Sequence, residues 1–151
     1  MEAIRANLGK AAPALYQTVA RLDAEAAQFA AGAGIAEGFT HLLRLRASQI
    51  NQCAFCVRMH HRDALKSGES ADRIAVLPAW RETGYFDARE RAALALIEAI
   101  TLVAEGQVPE AVYAQAAEVL DEAAIAAVEW LGVVINAWNR IAIASRYPVH
   151  A

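Results

Sequence analysis

Apolar residues along this chain return at steps of three and four, the period of an α-helix, and nowhere settle into the alternation of a strand. The stripe Leu15, Val19, Leu22, Ala26 and Phe29 predicts a helix from Pro13 to about Ala31. Pro13 suits a first turn, and Gly32 with Gly34 ends the pattern. A second helix is predicted from roughly Ala36 to Ser48, turning Phe39, Leu42, Leu43 and Ile50 toward a core. Asn51 is expected to cap a third, running from near Gln52 to Lys66 with Gly68 as its stop. Ser70 opens a short helix that ends before Pro78. Asp87 and Glu90 have capping-box spacing ahead of a helix over Arg91 to Ala104. Gly106 and Pro109 punctuate, Pro109 to Leu120 forms another helix, and Asp121 caps a final one reaching about Ser145. The expectation is an all-α chain: a single-domain helical bundle of six to seven helices, with no internal repeat.

The final helix is apolar nearly all round, through Ile125, Val128, Trp130, Leu131, Val133, Val134, Ile135 and Trp138. Such a helix is buried centrally or at a subunit interface, so a homo-oligomer is expected. Its most apolar stretch, Ala123 to Ile135, contains Glu129 and Gly132 and is too short for a membrane span. Composition narrows the partners. The 151 residues are 57% hydrophobic, much of it helix-favouring alanine, with a net charge of -3. Acids and bases are interspersed, and no basic block suggests nucleic acid or an anionic membrane. Met1 to Leu8 carries Glu2 and Arg5 and has no apolar core of the kind a secretory leader needs. A cytoplasmic protein is therefore expected, and there a Cys-x-x-Cys pair reads as catalytic or metal-binding rather than as a structural disulfide.

The only two cysteines are that pair, Cys53 and Cys56, followed by His60. On a helix, Cys53 and Cys56 share a face and His60 lies one turn further on. Backbone N–H groups at a helix start favour a thiolate, and His60 can serve as base or, if charged, as a neighbouring cation. A thiolate beside a second thiol reduces a hydroperoxide through a sulfenic acid that closes to a disulfide. An external dithiol then reopens it by exchange.

A longer segment carries more information than the pair. Leu43-Arg44-Leu45-Arg46-Ala47-Ser48-Gln49-Ile50-Asn51 followed by Cys53 to His60 closely resembles the alkylhydroperoxidase D-like branch of the carboxymuconolactone decarboxylase superfamily. Further matches are Asp63-Ala64, Lys66-Ser67-Gly68-Glu69, Arg73-Ile74, Leu77-Pro78-Ala79-Trp80-Arg81-Glu82, Arg89-Glu90-Arg91-Ala92-Ala93-Leu94 and Asn136-Ala137-Trp138-Asn139-Arg140, so the likeness spans roughly Leu42 to Ile143. The resemblance implies a helical subunit assembling as trimers or hexamers, and reduction of organic hydroperoxides with electrons from a dithiol such as a lipoylated protein. It makes Cys56 the thiol that meets the peroxide, Cys53 the resolving thiol, and His60 a relay member. It implies no cofactor, since sulfur carries both electrons. Two positions depart from the family pattern. His41 stands where the relay glutamate is found, and Phe55 stands where the best-known peroxidases have a histidine. A histidine at 41 can pass protons but cannot supply a carboxylate's charge, which implies weakened or retuned peroxidase activity.

Other readings compete. The pair with His60 and His41 would make four zinc ligands. A redox sensor or disulfide-exchange protein would use the same thiols with little peroxide turnover, and a lactone decarboxylase would not need them. His61 points away from His60 and reads as surface or interface. The Trp80-Arg81 and Asn136 to Arg140 runs read first as polar groups tying helices together, and Arg89-Glu90-Arg91 as a solvated first turn.

Overall fold

The periodicities resolve into helices throughout residues 3–151, the part of the chain that a computed structural model describes. Glu2, part of the N-terminal charge reading, lies outside them. Two single turns frame the longer elements: α1 (Leu8–Ala11), capped by the Asn7 side chain, and α7 (Val103–Gly106). The others are α2 (Pro13–Gly32), α3 (Glu37–Ile50), α4 (Ala54–Lys66), α5 (Ala71–Val76), α6 (Ala88–Thr101), α8 (Glu110–Val119) and α9 (Glu122–Ser145). Among the described residues there is no strand and no helix long and apolar enough to cross a membrane.

The fold is all-α. Its core lies where α3, α6 and α9 meet, among Leu42, Leu43, Leu45, Leu94, Leu96, Ile97, Val128, Leu131, Val134 and Ile135, each 0–1% exposed. Full burial of one such side chain is worth about 1.5–3 kcal/mol. Gly132 lets α9 close on α6: a Cβ there would stand 2.4 Å from Ile100 Cγ2 and 3.1 Å from Ile97 Cδ1. The Asp121 carboxylate caps α9 by accepting from the Ala124 N–H at 2.8 Å.

Several boundaries differ from expectation. Asn51 does not cap α4; it closes α3, and Cys53 is the N-cap of α4. Gln52 takes a left-handed φ of 56° between them, and the Cys53 and Gln52 N–H groups return to the carbonyls of Ser48 and Gln49. That double return is the Schellman ending usually built on glycine, which is why no glycine marked it. The capping box is present, but Asp87 itself is the cap, so α6 starts at Ala88 rather than Arg91 and breaks at Leu102. The helix opened by Ser70 does end before Pro78, at Val76, but passes directly into a 3₁₀ helix, Leu77–Glu82, where the missing proline N–H falls in the first turn.

The stripe on α2 forms the predicted helix, but most of it is not buried. Only Ala26 of it is buried, while Leu15 is 70%, Phe29 46% and Leu22 36% exposed. The buried residues of α2 are the small Ala26 and Ala30, so the large apolar side chains stay on the outer surface. The Arg89-Glu90-Arg91 run is also not simply solvated. Glu90 pairs with Arg73, and the Arg91 guanidinium donates to the carbonyls of Trp80, Arg81 and Thr83.

Candidate active site

The α3–α4 hairpin carries the four side chains singled out from the sequence. The turn at Gln52 sets Cys53 at the head of α4 and Cys56 in its first turn, with the two joined as a disulfide and their Cα atoms 5.3 Å apart. The Cys56 N–H points at Cys53 Sγ, 3.4 Å away. Once the disulfide opens, the unpaired N–H groups of this first turn favour negative charge on sulfur. Both sulfur residues are buried, at 2% and 1% exposure. Ala142 of α9 closes one side, and Phe55 and Tyr147 pack on the pair, their rings edge to face at 5.2 Å. Arg58 pins the segment beyond Tyr147 by donating to the His150 carbonyl at 2.7 Å.

His60 lies one turn past Cys56 on the same helix, buried at 5% exposure. Its Nδ1 is 3.4 Å from Nδ1 of His41 on α3. Its Nε2 is the one buried side-chain polar atom among the described residues that lacks a hydrogen-bond partner. Burial, then the nearby Arg44 guanidinium and His41, push the His60 pKa down to about 3. The imidazole is therefore neutral at physiological pH and gives the sulfurs no neighbouring cation; its remaining role is hydrogen bonding. His41 is also held below the ordinary imidazole range, by burial and then Arg44, against the opposing pull of Asp63, Glu37 and Asp23. Arg44 is itself buried and paired with Asp23 of α2 at 3.0 Å.

One proton between the two Nδ1 atoms satisfies both rings. With that proton on His60, its Nε2 keeps a lone pair aimed into the interior; with it on His41, His60 would bury an unpaired N–H at a cost of about 1–3 kcal/mol. The first tautomer is the one suited to receiving a proton.

Sequence reasoning missed Arg44 and Asp63, three residues from His41 and from His60 respectively, although that helical spacing signals a shared face. The Asn136 to Arg140 run ties helices together, as read. The Asn51 amide donates to Asn136 Oδ1 and Asn139 Oδ1, both at 2.9 Å, and Asn139 donates to Ser48 Oγ at 3.0 Å. Trp138 packs edge-on against Tyr16. Trp80 donates to Glu98, which also accepts from Arg46 and Arg81.

Residues 13–99 match the carboxymuconolactone decarboxylase family. The uncharacterized protein YdfG of Bacillus subtilis (strain 168) is 44% identical over 103 residues, covering 68% of this chain and 70% of its own. A crystal structure from Agrobacterium tumefaciens superposes with a TM-score of 0.85 at 33% identity, covering 98% of this chain and all of its own. That protein, ATU0492, is described as of unknown function and as a candidate antioxidant defence protein AhpD. The chain belongs to the carboxymuconolactone decarboxylase family, in its alkylhydroperoxidase D-like branch.

Proposed function

We propose that this protein is a dithiol-dependent peroxidase that reduces organic hydroperoxides. The observation that carries the reading is the buried Cys53–Cys56 pair on the same helix as a neutral His60 whose Nε2 is unpartnered and whose Nδ1 meets His41. In the reduced protein the Cys56 thiol gives its proton to His60 Nε2 while His60 Nδ1 passes its own to His41. The double shift avoids a full charge on His60, whose low basicity forbids holding one. The Cys56 thiolate attacks the distal peroxide oxygen; the O–O bond breaks, and the alkoxide leaves as the alcohol with the proton from His60 Nε2, which His41 replaces at Nδ1. Cys56 is now a sulfenic acid. The Cys53 thiol displaces its hydroxyl as water and forms the disulfide. An external dithiol reopens the pair by two exchanges and is itself oxidised.

Burial of both sulfurs favours a small oxidant and a slender dithiol, such as a lipoyl arm, over exchange with the cysteines of a folded protein, which the sensor reading requires. The cycle needs no metal, haem or flavin, and the expected setting is the cytoplasm. Self-association belongs to the same reading. Leu22, Phe29 and Trp130 line an open apolar groove between α2 and α9, with Val133 one turn from Trp130 and also exposed. A second copy covering that face gives the expected homo-oligomer, a trimer or hexamer, and Trp130→Glu should dissociate it in sedimentation.

The deciding experiment is dithiol-dependent consumption of an organic hydroperoxide by wild type and by Cys56→Ser. Turnover by the first and none by the second is expected. A reduced wild type that consumes no peroxide, yet exchanges with disulfides, sinks the proposal in favour of redox sensing.

A further inference from the structure

His41 and His60 have a third neighbour that the relay does not use. Asp63 sits three residues after His60 on α4, and one nitrogen from each ring and one carboxylate oxygen lie within 4.8 Å of one another. The two Nδ1 atoms are 3.4 Å apart. A zinc ion binds imidazole nitrogen at about 2.0–2.1 Å with tetrahedral angles, which sets two such nitrogens roughly 3.3–3.4 Å apart. The pair thus already has the edge length of a zinc tetrahedron. Asp63 is only half-buried, so a turn of its side chain can bring the carboxylate onto the third position.

Carboxylates stand on the His41 side of the pair, although Arg44 is the strongest single charge acting on either ring. Asp63, Glu37 and Asp23 act on His41 against the single guanidinium of Arg44, and Arg44 is already paired with Asp23. An approach exists as well. An open groove of about 330 Å³ reaches His41 past Glu37 and Thr40, and Asp63 lines a separate groove along α4 beside Phe55 and Arg62. Two of the three ligands are therefore open to solvent away from the sulfurs, an ion must shed water to meet the buried His60, and a water or anion would complete the fourth position.

We propose that His41, His60 and Asp63 form a binding site for a zinc-class divalent metal ion, and that filling it switches the dithiol off. Coordination at both Nδ1 atoms requires each neutral ring to carry its single proton on Nε2, so the proton His60 held on Nδ1 moves to its Nε2. His60 can then no longer accept the Cys56 proton, and His41 can no longer take one onward. The switch rests on the peroxidase reading; the site does not.

The test uses wild-type protein with the disulfide closed, so that neither thiol can act as a ligand. It is titrated with cobalt(II), a coloured stand-in for zinc, and then with zinc in competition. One equivalent of cobalt should bind with the absorption of a low-coordinate site, and zinc should displace it. His41→Ala and Asp63→Asn should each weaken binding at least about tenfold while leaving the helical circular dichroism unchanged. Absence of stoichiometric cobalt binding overturns the site, as does binding that neither substitution weakens. Zinc should also suppress peroxide turnover, with recovery on chelation. Stoichiometric binding without suppression overturns the switch alone, and the cobalt titration stands even if the protein turns over no peroxide.

Discussion

Two polar clusters flank α3, and they differ in how their hydrogen bonds close. Around Asn139, which is fully buried, the amides of Asn51, Asn136 and Asn139 and the hydroxyls of Ser48 and Thr101 bond to one another or to backbone. Around His60 one bond is made, and Nε2 is left over. A closed network fixes α9 against the α3–α4 turn and has no capacity to accept anything more. An open one forgoes stability to keep a lone pair ready. Polarity alone did not distinguish the two in the sequence; the leftover atom does.

The comparison breaks most sharply at His60. His60→Leu should lower peroxide turnover by about 10²–10⁴-fold, the usual reach of a proton-transfer group. It should leave urea stability unchanged or slightly higher, because the substitution removes an unsatisfied polar atom. A loss of stability comparable to the loss of activity would place His60 with the structural cluster. Asn139→Ala should do the opposite, costing roughly 2–3 kcal/mol by removing one hydrogen bond each from Ser48 and Asn51 and opening a small cavity. Its expected signature is a lower urea midpoint with turnover per folded molecule little changed.

Gly132→Ala probes the packing on which the Asn139 cluster rests. The added methyl would overlap Ile100, so a loss of about 1–3 kcal/mol is expected in thermal or urea melts. The smallest effect belongs to Glu98, a closed cluster that carries charge. Burial raises its pKa, but the hydrogen bonds from Trp80, Arg81 and Arg46 outweigh that and leave it below the usual carboxylate range. A lowered folded-state value contributes stability that is present above the ordinary carboxylate pKa and is lost as pH falls through the lowered one. Acid melts of wild type should show that loss, and Glu98→Gln should flatten it.

Much of the fold was legible because its elements are long and their signals local. α3, α8 and α9 follow the predicted bounds to within a few residues, though α9 buries Val128, Leu131, Val134 and Ile135 while Trp130 and Val133 of the same apolar run stay exposed. The α2 stripe located its helix but could not tell what covers it, for a physical reason. An amphipathic pattern shows that a face avoids water, not whether this chain or another one covers it. The cap of α4 failed because a glutamine occupies the left-handed position normally signposted by glycine. At the candidate site, spacing within α4 put Cys53, Cys56 and His60 together. His41 reached the site only through the family pattern, since contact between α3 and α4 has no local signature. Asp63 was within reach of the same spacing argument and was passed over because it is not part of the thiol chemistry.

The site is written early in the chain and closed late. Every reactive group falls between residues 41 and 63, on one helical hairpin, while Ala142 and Tyr147, which pack over the sulfurs, come more than eighty positions later. A ribosome adding about 5–20 residues per second takes on the order of ten seconds to cover that interval. A newborn chain therefore holds its two thiols without their cover for that long. The order of synthesis alone makes the nascent hairpin more open to oxidants than the finished protein, so part of the population can leave the ribosome with its first disulfide already formed.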